Sequence, residues 1–435
     1  MPSMTANSIY AELLSNIRQV SVIAVLQSPS NASTAARLSS DRDQFLLSHN
    51  GETMTLFLPA KIAPDFKIQA PVVGKAEISW RLPLAAQLPN SSRDFSDAPA
   101  SPWPASKLIG SVCISCRNCG SVLVRPDSVK GWKDLPSENW AEMMDFWHCH
   151  KPSAPTTDNG TTEHHDPNES KAYGANHRFT ASPGVGFVDL TYFLLSAEDC
   201  IGVSEVEHMG IKKEAKSANA INDLVTDTTA QDRHHLGLQM PPEDTLNSTQ
   251  DMQTLSCQKC NHDIGARDYL AFGNRLYKWS VSVVTNSAQS QPHYPLSNFI
   301  VAYLLSLISA QAVQKFILHG PKSKVMTETP PILYVWVFAP HLTVSFSPAS
   351  KSWSTLAGSK ARSVPATKVF YNTITVAEQD SLLENTTLSA EEIVFPHSVI
   401  KELHDTLRAS TAILPPSAQR FREWNVGLLQ RYVGE

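Results

Sequence analysis

The sequence predicts a β-rich α+β protein with an N-terminal β domain, a zinc-knuckle clamp and a C-terminal α+β domain. Short apolar runs alternate with turn-forming segments over much of the chain, which is typical of strands. Two Cys-x-x-Cys pairs are each followed by Gly or Asn, the pattern of a metal knuckle. Near residue 292 the apolar periodicity changes to about 3.6 residues, which indicates helices in the last part of the chain.

Residues 1–84 are predicted to form the N-terminal β domain. The segments 20–26, 54–58 and 76–82 have apolar or alternating patterns, and the first two end at turn-forming residues. Short strands separated by turns are the pattern of a β-sandwich or a barrel-like domain. The Pro-, Ser- and Asp-rich segment 85–106 follows, and we expect it to form a loop.

Residues 107–291 are predicted to form a β region around the cysteine pairs. The segment 186–195 is predicted to be one buried strand or two strands joined by a bend, and 275–284 is predicted to be one strand. Two segments, 152–180 and 209–250, are polar and low in aromatic residues. We expect these segments to be surface insertions without a core of their own.

The C-terminal α+β domain is predicted to span 292–435 and to begin with a helix. A helix over 296–319 places five apolar residues on one side: Phe299, Tyr303, Leu307, Ala310 and Ile317. Polar residues interrupt the apolar run, among them Gln311, Gln314 and Lys315. These interruptions favour a helix buried on one face over a membrane span.

A hairpin, a strand, a second helix and a last strand are predicted after this helix. The apolar segments 332–338 and 342–346 flank Ala-Pro-His, which predicts a β-hairpin. A strand is expected at 368–372 and a helix near 397–410, where apolar residues recur at helical spacing. The last strand is expected at 424–429. This order of elements is typical of an α+β domain.

The two cysteine pairs are Cys116 with Cys119, and Cys257 with Cys260. Two residues between the cysteines of a pair let both thiolates face one ion, and Gly120 permits the tight turn that follows the first pair. Together the pairs supply four thiolates, the usual ligand set of a structural zinc ion. We therefore predict one Zn²⁺ ion that joins two distant parts of the chain, with Zn–S bonds of about 2.3 Å.

Alternatives to this ligand set remain open at the level of the sequence. Cys113 lies three residues before Cys116 and competes with it as a ligand, and Cys149 with His150 could complete a local site with the first pair. The sequence alone therefore allows one ion or two. A redox pair of the thioredoxin type is less favoured, because such a pair lies at the start of a helix and strand-type residues follow Cys119 here.

Composition and charge restrict the classes of partner. Hydrophobic residues make up 42% of the chain and charged residues 18%, and the net charge is −5, so there is no electrostatic reason to expect nucleic acid or a membrane surface as partner. The first residues lack the basic and apolar regions of a secretory signal. Seven cysteines, several in metal-type pairs, favour a reducing compartment. We expect the protein in the cytoplasm, the nucleus or both.

The stretch 135–152, LPSENWAEMMDFWHCHKP, follows the first cysteine pair. Together with that pair, it resembles the signature of the HECT-like ubiquitin-conjugating-enzyme-binding proteins. The matching positions are Cys116, Cys119, Gly120, the segment 135–140, Trp147, Cys149 and His150. The second pair falls where that family has its own downstream Cys-x-x-Cys. The order of elements resembles the family over most of the chain.

This resemblance implies a ubiquitin-protein ligase that binds a ubiquitin-conjugating enzyme (E2) and promotes ubiquitin transfer to a client protein or to itself. It also implies Trp140, Trp147 and His150 as binding residues. Relatives have been connected with the machinery that processes messenger-RNA 3′ ends. The alternative function is therefore a non-enzymatic, zinc-stabilised factor that binds or assembles proteins.

A ligase that carries ubiquitin as a thioester needs an accessible cysteine with a lowered pKa. Cys149, between His148 and His150, is the candidate outside the two pairs, although a zinc ligand or a packed thiol is the favoured interpretation of it. A HECT ligase has its acceptor cysteine near its C-terminus, whereas no cysteine follows Cys260 here. The sequence therefore favours an adaptor that holds the charged E2 near its client.

Overall fold

The structure is a computed structural model that describes residues 7–85, 99–135, 180–206, 253–285, 293–321, 331–347, 363–384 and 390–434. The predicted insertions 152–180 and 209–250 lie outside these residues, except for Thr180. The described residues form a β-rich α+β fold, as predicted. No helix among them is long and apolar enough to cross a membrane.

The first part of the chain forms six strands: β1 (Ser8–Leu14), β2 (Gln19–Val25), β3 (Ala35–Leu38), β4 (Gln44–His49), β5 (Glu52–Phe57) and β6 (Glu77–Pro83). Strands β1, β2 and β6 are antiparallel neighbours, while β3, β4 and β5 form a small separate sheet. Phe45 of β4 packs on Trp80 of β6, with ring centroids 5.0 Å apart. The strands predicted at 20–26, 54–58 and 76–82 are confirmed as β2, β5 and β6.

The cysteine-rich part forms ten strands: β7 (Val112–Cys116), β8 (Val122–Val124), β9 (Gly131–Asp134), β10 (Val185–Val188), β11 (Tyr192–Ser196), β12 (Val203–Glu205), β13 (Gln253–Cys257), β14 (Asp263–Asp268), β15 (Gly273–Tyr277) and β16 (Val281–Thr285). Seven of them form a sheet in the order β12-β13-β14-β15-β11-β10-β9, and three form a sheet in the order β16-β7-β8. The two sheets enclose one apolar core.

Two predicted strands of this part have different outcomes. The segment 186–195 forms two antiparallel strands, β10 and β11, which is one of the two forms predicted. The prediction of one strand over 275–284 is wrong, because a short 3₁₀ turn at Lys278–Ser280 separates β15 from β16. The ammonium group of Lys278 is buried there and donates to the Pro102 carbonyl at 2.9 Å. The turn transfers the chain from the seven-stranded sheet to the three-stranded one.

The described residues of the last part form three α-helices, α1 (Leu296–Gln311), α2 (Val376–Glu384) and α3 (His397–Thr411). Its strands are β17 (Lys315–His319), β18 (Ile332–Ser347), β19 (Val364–Ile374), β20 (Ala390–Val394), β21 (Arg420–Phe421) and β22 (Trp424–Gln430). Helices α1 and α3 pack on one face of the sheet that these strands form. The strands predicted at 368–372 and 424–429 and the helix predicted at 397–410 are confirmed as β19, β22 and α3.

The helix predicted over 296–319 is too long. Helix α1 ends at Gln311, because Ala312 adopts a left-handed conformation with φ of 57° and its N–H donates to the Ile308 carbonyl. Ile317 lies in β17 instead, and its neighbours in that strand are buried on both faces of the sheet. A strand buried on both faces is an unbroken apolar run, which periodicity alone does not distinguish from a buried helix.

The hairpin predicted over 332–346 is also wrong. Strand β18 is continuous, and β19 pairs with it from Ile332 to Val344. The pairing is irregular around Ala339, which accommodates Pro340, a residue without an N–H for the sheet. The Thr367 hydroxyl donates to the Pro340 carbonyl at 2.8 Å. The Ala-Pro-His segment is therefore a bulge in a long strand.

The longest sheet joins the beginning and the end of the chain. Its path runs β21-β22-β19-β18-β1-β2-β6, and β17 and β20 continue it from β18. Strand β1 pairs with β18 on one side and with β2 on the other. The predicted ranges 1–84 and 292–435 thus both contribute strands to one sheet, and the division into three domains stays a prediction.

Candidate metal centre

Each cysteine pair lies where a strand ends and a tight turn follows. Cys116 is the last residue of β7 and Cys257 is the last residue of β13. The N–H of Gly120 donates to the Cys116 carbonyl, and the N–H of Asn261 donates to the Cys257 carbonyl, both at 2.8 Å. Gly120 and Asn261 have φ of 73° and 53°, in the left-handed region that Gly and Asn tolerate best. The two knuckles therefore share one backbone turn.

These turns bring four sulfur atoms together. The Sγ–Sγ distance is 3.7 Å between Cys116 and Cys260 and 3.7 Å between Cys119 and Cys257. All four sulfurs lie within 4.8 Å of one another. Four sulfurs bound to one ion at about 2.3 Å in a tetrahedron are about 3.8 Å apart, whereas a disulfide requires about 2.05 Å. The geometry fits one metal ion held by four thiolates.

The two sulfurs of the first pair differ in how readily they ionise. Burial raises the pKa of Cys116 to about 12, although the main-chain N–H groups of Cys119 and Asn118 act in the opposite direction. Hydrogen bonding with the Ser121 hydroxyl, at 3.4 Å, lowers the pKa of Cys119 to about 6. A metal ion stabilises a thiolate much more strongly than a hydrogen bond does. The buried Cys116 thiol is therefore expected to ionise at neutral pH when an ion binds.

A four-thiolate site has a structural role rather than a catalytic one. Four protein ligands complete a tetrahedron and leave no position for water or substrate. The first knuckle connects β7 to β8 in the three-stranded sheet, and the second connects β13 to β14 in the seven-stranded sheet. An ion at this position therefore joins two sheets that have no strand in common.

Cys113 and Cys200 are not members of the four-sulfur group in the described part of the chain. Cys113 lies three residues before Cys116 on β7, so the alternation of a strand places the two side chains on opposite faces. Cys200 follows a 3₁₀ turn, and burial raises its pKa to about 11. Neither sulfur is placed to replace one of the four ligands.

The remaining predicted site residues lie outside the described residues. They are Trp140, Trp147, Cys149 and His150. The role of Cys149 as nucleophile or ligand and the binding roles of the other three stay predictions.

Arg117 connects the first knuckle to the C-terminal part of the chain. Its guanidinium donates to the carbonyls of Trp279 and Tyr294 at 2.9 and 3.0 Å, and to the ring of His293 at 3.0 Å. Tyr294 precedes the first turn of α1, so the knuckle holds the chain where this helix begins. The sequence analysis did not identify this role. The signal for it is the position of an arginine between two metal-ligating cysteines.

Glu402 on helix α3 is influenced by charges from both knuckle regions. Burial raises the pKa of Glu402 on this helix, whereas Arg117 from the first knuckle and His262 beside the second lower it. Glu402 lines a cleft of about 530 Å³ between the start of α1 and α3, together with Ser297 and Asp405. Glu402 therefore lies within electrostatic range of the positive side chains beside both knuckles.

Comparison with known proteins identifies relatives of the chain. The family model described as HECT-like ubiquitin-conjugating enzyme (E2)-binding matches residues 12–426. An uncharacterized protein of Schizosaccharomyces pombe is 25% identical over 348 residues, which cover 78% of this chain and 80% of that protein. An uncharacterized protein of Saccharomyces cerevisiae is 21% identical over 317 residues, which cover 72% of this chain and 67% of that protein. No solved structure matches the chain.

The family match extends over nearly the whole chain. It includes both cysteine knuckles, the stretch 135–152 and all strands of the nine-stranded sheet except the first residues of β1 and the last residues of β22. This extent agrees with the resemblance that the sequence motifs carry. The chain belongs to the family of HECT-like ubiquitin-conjugating-enzyme (E2)-binding proteins.

Proposed function

We propose that this protein binds a ubiquitin-conjugating enzyme and promotes ubiquitin transfer to a client protein or to itself. Family membership over residues 12–426 carries the proposal, because the family is described as E2-binding. A ligase of this kind has to hold the charged E2 beside an acceptor amine. Holding the two together raises the effective concentration of the reacting groups.

We propose an adaptor mechanism, in which the acceptor amine attacks the thioester carbonyl on the E2 and the E2 thiolate leaves. An acceptor cysteine on the ligase itself needs exposure and a lowered pKa. Four of the described cysteines form the metal set, and burial raises the pKa of both Cys113 and Cys200. These observations support transfer without a thioester on the described part of the chain. Cys149 is the candidate that the experiment below tests.

We infer that the ion bound by the four cysteines is Zn²⁺ and that its role is structural. The ligand type and the 3.7 Å spacing of the sulfurs support zinc, which prefers four thiolates in a tetrahedron. When bound, the ion supplies a cross-link and not a reacting group. It keeps the hairpins β7–β8 and β13–β14 in contact.

A reconstituted reaction tests the proposed function. The protein is incubated with ubiquitin-activating enzyme, ATP, ubiquitin and each member of a panel of E2 enzymes, and direct E2 binding is measured in parallel. We expect at least one E2 to bind and to form more conjugates than it forms alone. An absence of binding across the panel would overturn the proposal and favour the protein-assembly function.

Two kinds of variant test the mechanism in the same assay. Cys149→Ala is expected to keep conjugation, with Cys113→Ser as the matched control. A ubiquitin adduct that a reducing agent removes, and that Cys149→Ala lacks, would instead show a covalent intermediate. Trp140→Ala and Trp147→Ala are expected to weaken E2 binding without loss of bound zinc.

A further inference from the structure

A serine and a histidine meet where the loop between β2 and β3 lies against the turn between β4 and β5. The Ser28 hydroxyl lies 2.9 Å from Nε2 of the His49 ring. The Thr34 hydroxyl lies 2.8 Å from Nδ1 of the same ring. His49 and Thr34 are buried, whereas Ser28 is half-buried, so part of this serine is open to solvent. A serine hydroxyl beside a histidine that a third group orients is the arrangement of an activated nucleophile.

The local backbone holds the histidine and the threonine in place. Strand β4 ends at His49, and Asn50 and Gly51 form the two-residue turn before β5. Their φ values are 50° and 83°, as a type I′ turn requires, and Asn-Gly is a preferred sequence for this turn. In the β2–β3 loop, the N–H of Asn31 donates to the Thr34 hydroxyl at 2.9 Å. Both side chains are therefore carried by backbone that turns and hydrogen bonds define.

A chain of hydrogen bonds determines which ring nitrogen of His49 carries the proton. The N–H of Ser33 donates to Oδ1 of Asn31 at 2.9 Å. The other end of this amide, Nδ2, therefore donates to Oδ1 of Asn50, at 2.7 Å. The Asn50 amide then presents its own Nδ2 to His49 Nε2, at 3.1 Å. An amide nitrogen only donates, so Nε2 is the acceptor and Nδ1 carries the proton.

This tautomer is the one that a general base requires. The Nδ1–H group donates to the Thr34 hydroxyl oxygen and fixes the ring, and the Ser28 hydroxyl donates to Nε2. Nε2 is thus placed to take the serine proton when Oγ attacks an acyl carbon. Asn50 Nδ2 also lies 3.0 Å from Ser28 Oγ. An amide donor beside the nucleophile stabilises the negative charge that develops on the acyl oxygen.

A second buried histidine shows why this arrangement at His49 is distinctive. In the ring of His319, Nδ1 lies 2.7 Å from the Gly320 carbonyl and Nε2 lies 2.7 Å from the Glu392 carboxylate. Both partners are acceptors, so neither ring nitrogen offers a lone pair to a hydroxyl. His49 instead has a hydroxyl at the nitrogen that accepts.

The groups around Ser28 indicate the kind of substrate. They are hydroxyls, side-chain amides and an imidazole with one proton, and none of these groups carries a charge. An anionic substrate such as a phosphate ester is bound by cationic side chains or a metal ion. A neutral carboxylic ester needs a nucleophile, a base and a donor for its carbonyl oxygen.

We propose that Ser28 and His49 form a nucleophilic site that hydrolyses neutral carboxylic esters, an activity independent of the proposed function. Ser28 Oγ forms a bond to the acyl carbon, and its proton passes to His49 Nε2. The bond between the acyl carbon and the leaving oxygen breaks, and Nε2 returns the proton to the departing alcohol. Water then attacks the acyl carbon while Nε2 takes its proton, and Ser28 Oγ leaves with that proton. Thr34 is a positioning residue, because it acts through the histidine.

A fluorophosphonate probe tests the nucleophile in the full-length protein. The probe forms an Oγ–P bond with a reactive serine and releases fluoride, and peptide mass spectrometry is expected to place the adduct on Ser28. Ser28→Ala should abolish the adduct, and His49→Gln should slow its formation by about 100-fold, because a general base contributes about 10²–10⁴-fold. Ser48→Ala is the matched control. It removes a hydroxyl that contacts Thr53 on the opposite face of β4 from His49, and it should react like the wild type.

Hydrolysis of p-nitrophenyl acetate tests the reaction itself. The wild type is expected to release a burst of about one nitrophenol per chain as the acyl group forms on Ser28. The burst rate should fall at low pH, where a protonated imidazole accepts no proton, and His49→Gln should lose this pH dependence. Thr34→Val should slow the burst and Thr34→Ser should restore it, because only the serine replaces the acceptor for the Nδ1 proton.

Two results would overturn the proposal. If the probe leaves Ser28 of the wild type unmodified under conditions that modify a control serine hydrolase, the hydrogen bonds around His49 are structural only. This result needs no variant, so it holds even where a variant fails to fold. If His49→Gln keeps the wild-type melting temperature and reacts with the probe as fast as the wild type, His49 is not the base. Neither result affects the proposed binding of a ubiquitin-conjugating enzyme.

Discussion

Replacement of Cys257 by serine is the most direct perturbation of the metal centre. The side chain is fully buried in the core of the cysteine-rich sheets. The variant loses one of four ligands, and a buried hydroxyl without a partner costs about 1–3 kcal/mol in addition. Structural zinc contributes about 10–16 kcal/mol to folding in small zinc-binding peptides, while a whole domain is stable by about 5–15 kcal/mol. We therefore expect Cys257→Ser to be insoluble or largely unfolded.

The assay is zinc content per chain, measured together with unfolding by guanidinium chloride. The wild type is expected to hold one equivalent of zinc. Four variants are expected to lose it: Cys116→Ser, Cys119→Ser, Cys257→Ser and Cys260→Ser. Cys113→Ser and Cys200→Ser are matched controls, because they also remove a sulfur, and both are expected to retain zinc and cooperative unfolding.

One result would refute this reasoning. If Cys257→Ser and Cys260→Ser kept a full equivalent of zinc while Cys149→Ser or His150→Ala lost it, the ion would be bound within residues 116–150. The 3.7 Å approach of the two knuckles would then not reflect a shared ion.

Two further predictions concern the cationic side chains of Arg117 and Lys278. Arg117→Ala removes hydrogen bonds to the carbonyls of Trp279 and Tyr294, so we expect the free energy of unfolding to fall by about 1–3 kcal/mol. Hydrogen exchange at the start of α1 should become faster while the protein retains zinc. Unchanged exchange at the start of α1 would contradict the link between Arg117 and this helix. Burial lowers the pKa of Lys278 from 10.5 to about 7 in the folded protein. At pH values between these two, the Lys278 side chain is protonated in the unfolded chain but largely neutral in the folded one. Wild-type stability should therefore fall as the pH decreases from 10.5 towards 7, by up to about 1.4 kcal/mol per pH unit. Lys278→Met should remove this contribution, and an identical pH dependence in both proteins would refute it.

The sequence predicted elements well where one face of an element is buried. Strand β6 and helix α3 each have apolar residues at the spacing of their own geometry. Such spacing is local information, because it depends on the residues of that element and on the side that meets the core. The same reasoning failed at β17 and β18. The central strands of a sheet covered on both faces are apolar throughout, and a proline in a long strand resembles a turn until the neighbouring strand is known.

The candidate metal centre was also predicted from the sequence only where the information is local. The residue types and the spacing of Cys116, Cys119, Cys257 and Cys260 determined that each knuckle turn can hold an ion, since the two thiolates of a pair are brought together by five or six neighbouring residues. The position of Arg117 between two cysteines is a local signal, but it does not show which carbonyls the guanidinium meets. Arg117 has its role because its guanidinium meets the carbonyls of Trp279 and Tyr294, which are far from it in the chain.

The sequence by itself determined the β-rich composition, the two knuckles and the family motif, because each depends on residues that are close in the chain. Only the tertiary structure decided that the two knuckles meet and that β1 pairs with β18. Both are contacts between residues far apart in the chain. Contacts of this kind depend on the packing of the complete sheets and on the entropy of closing long loops, which no single segment encodes.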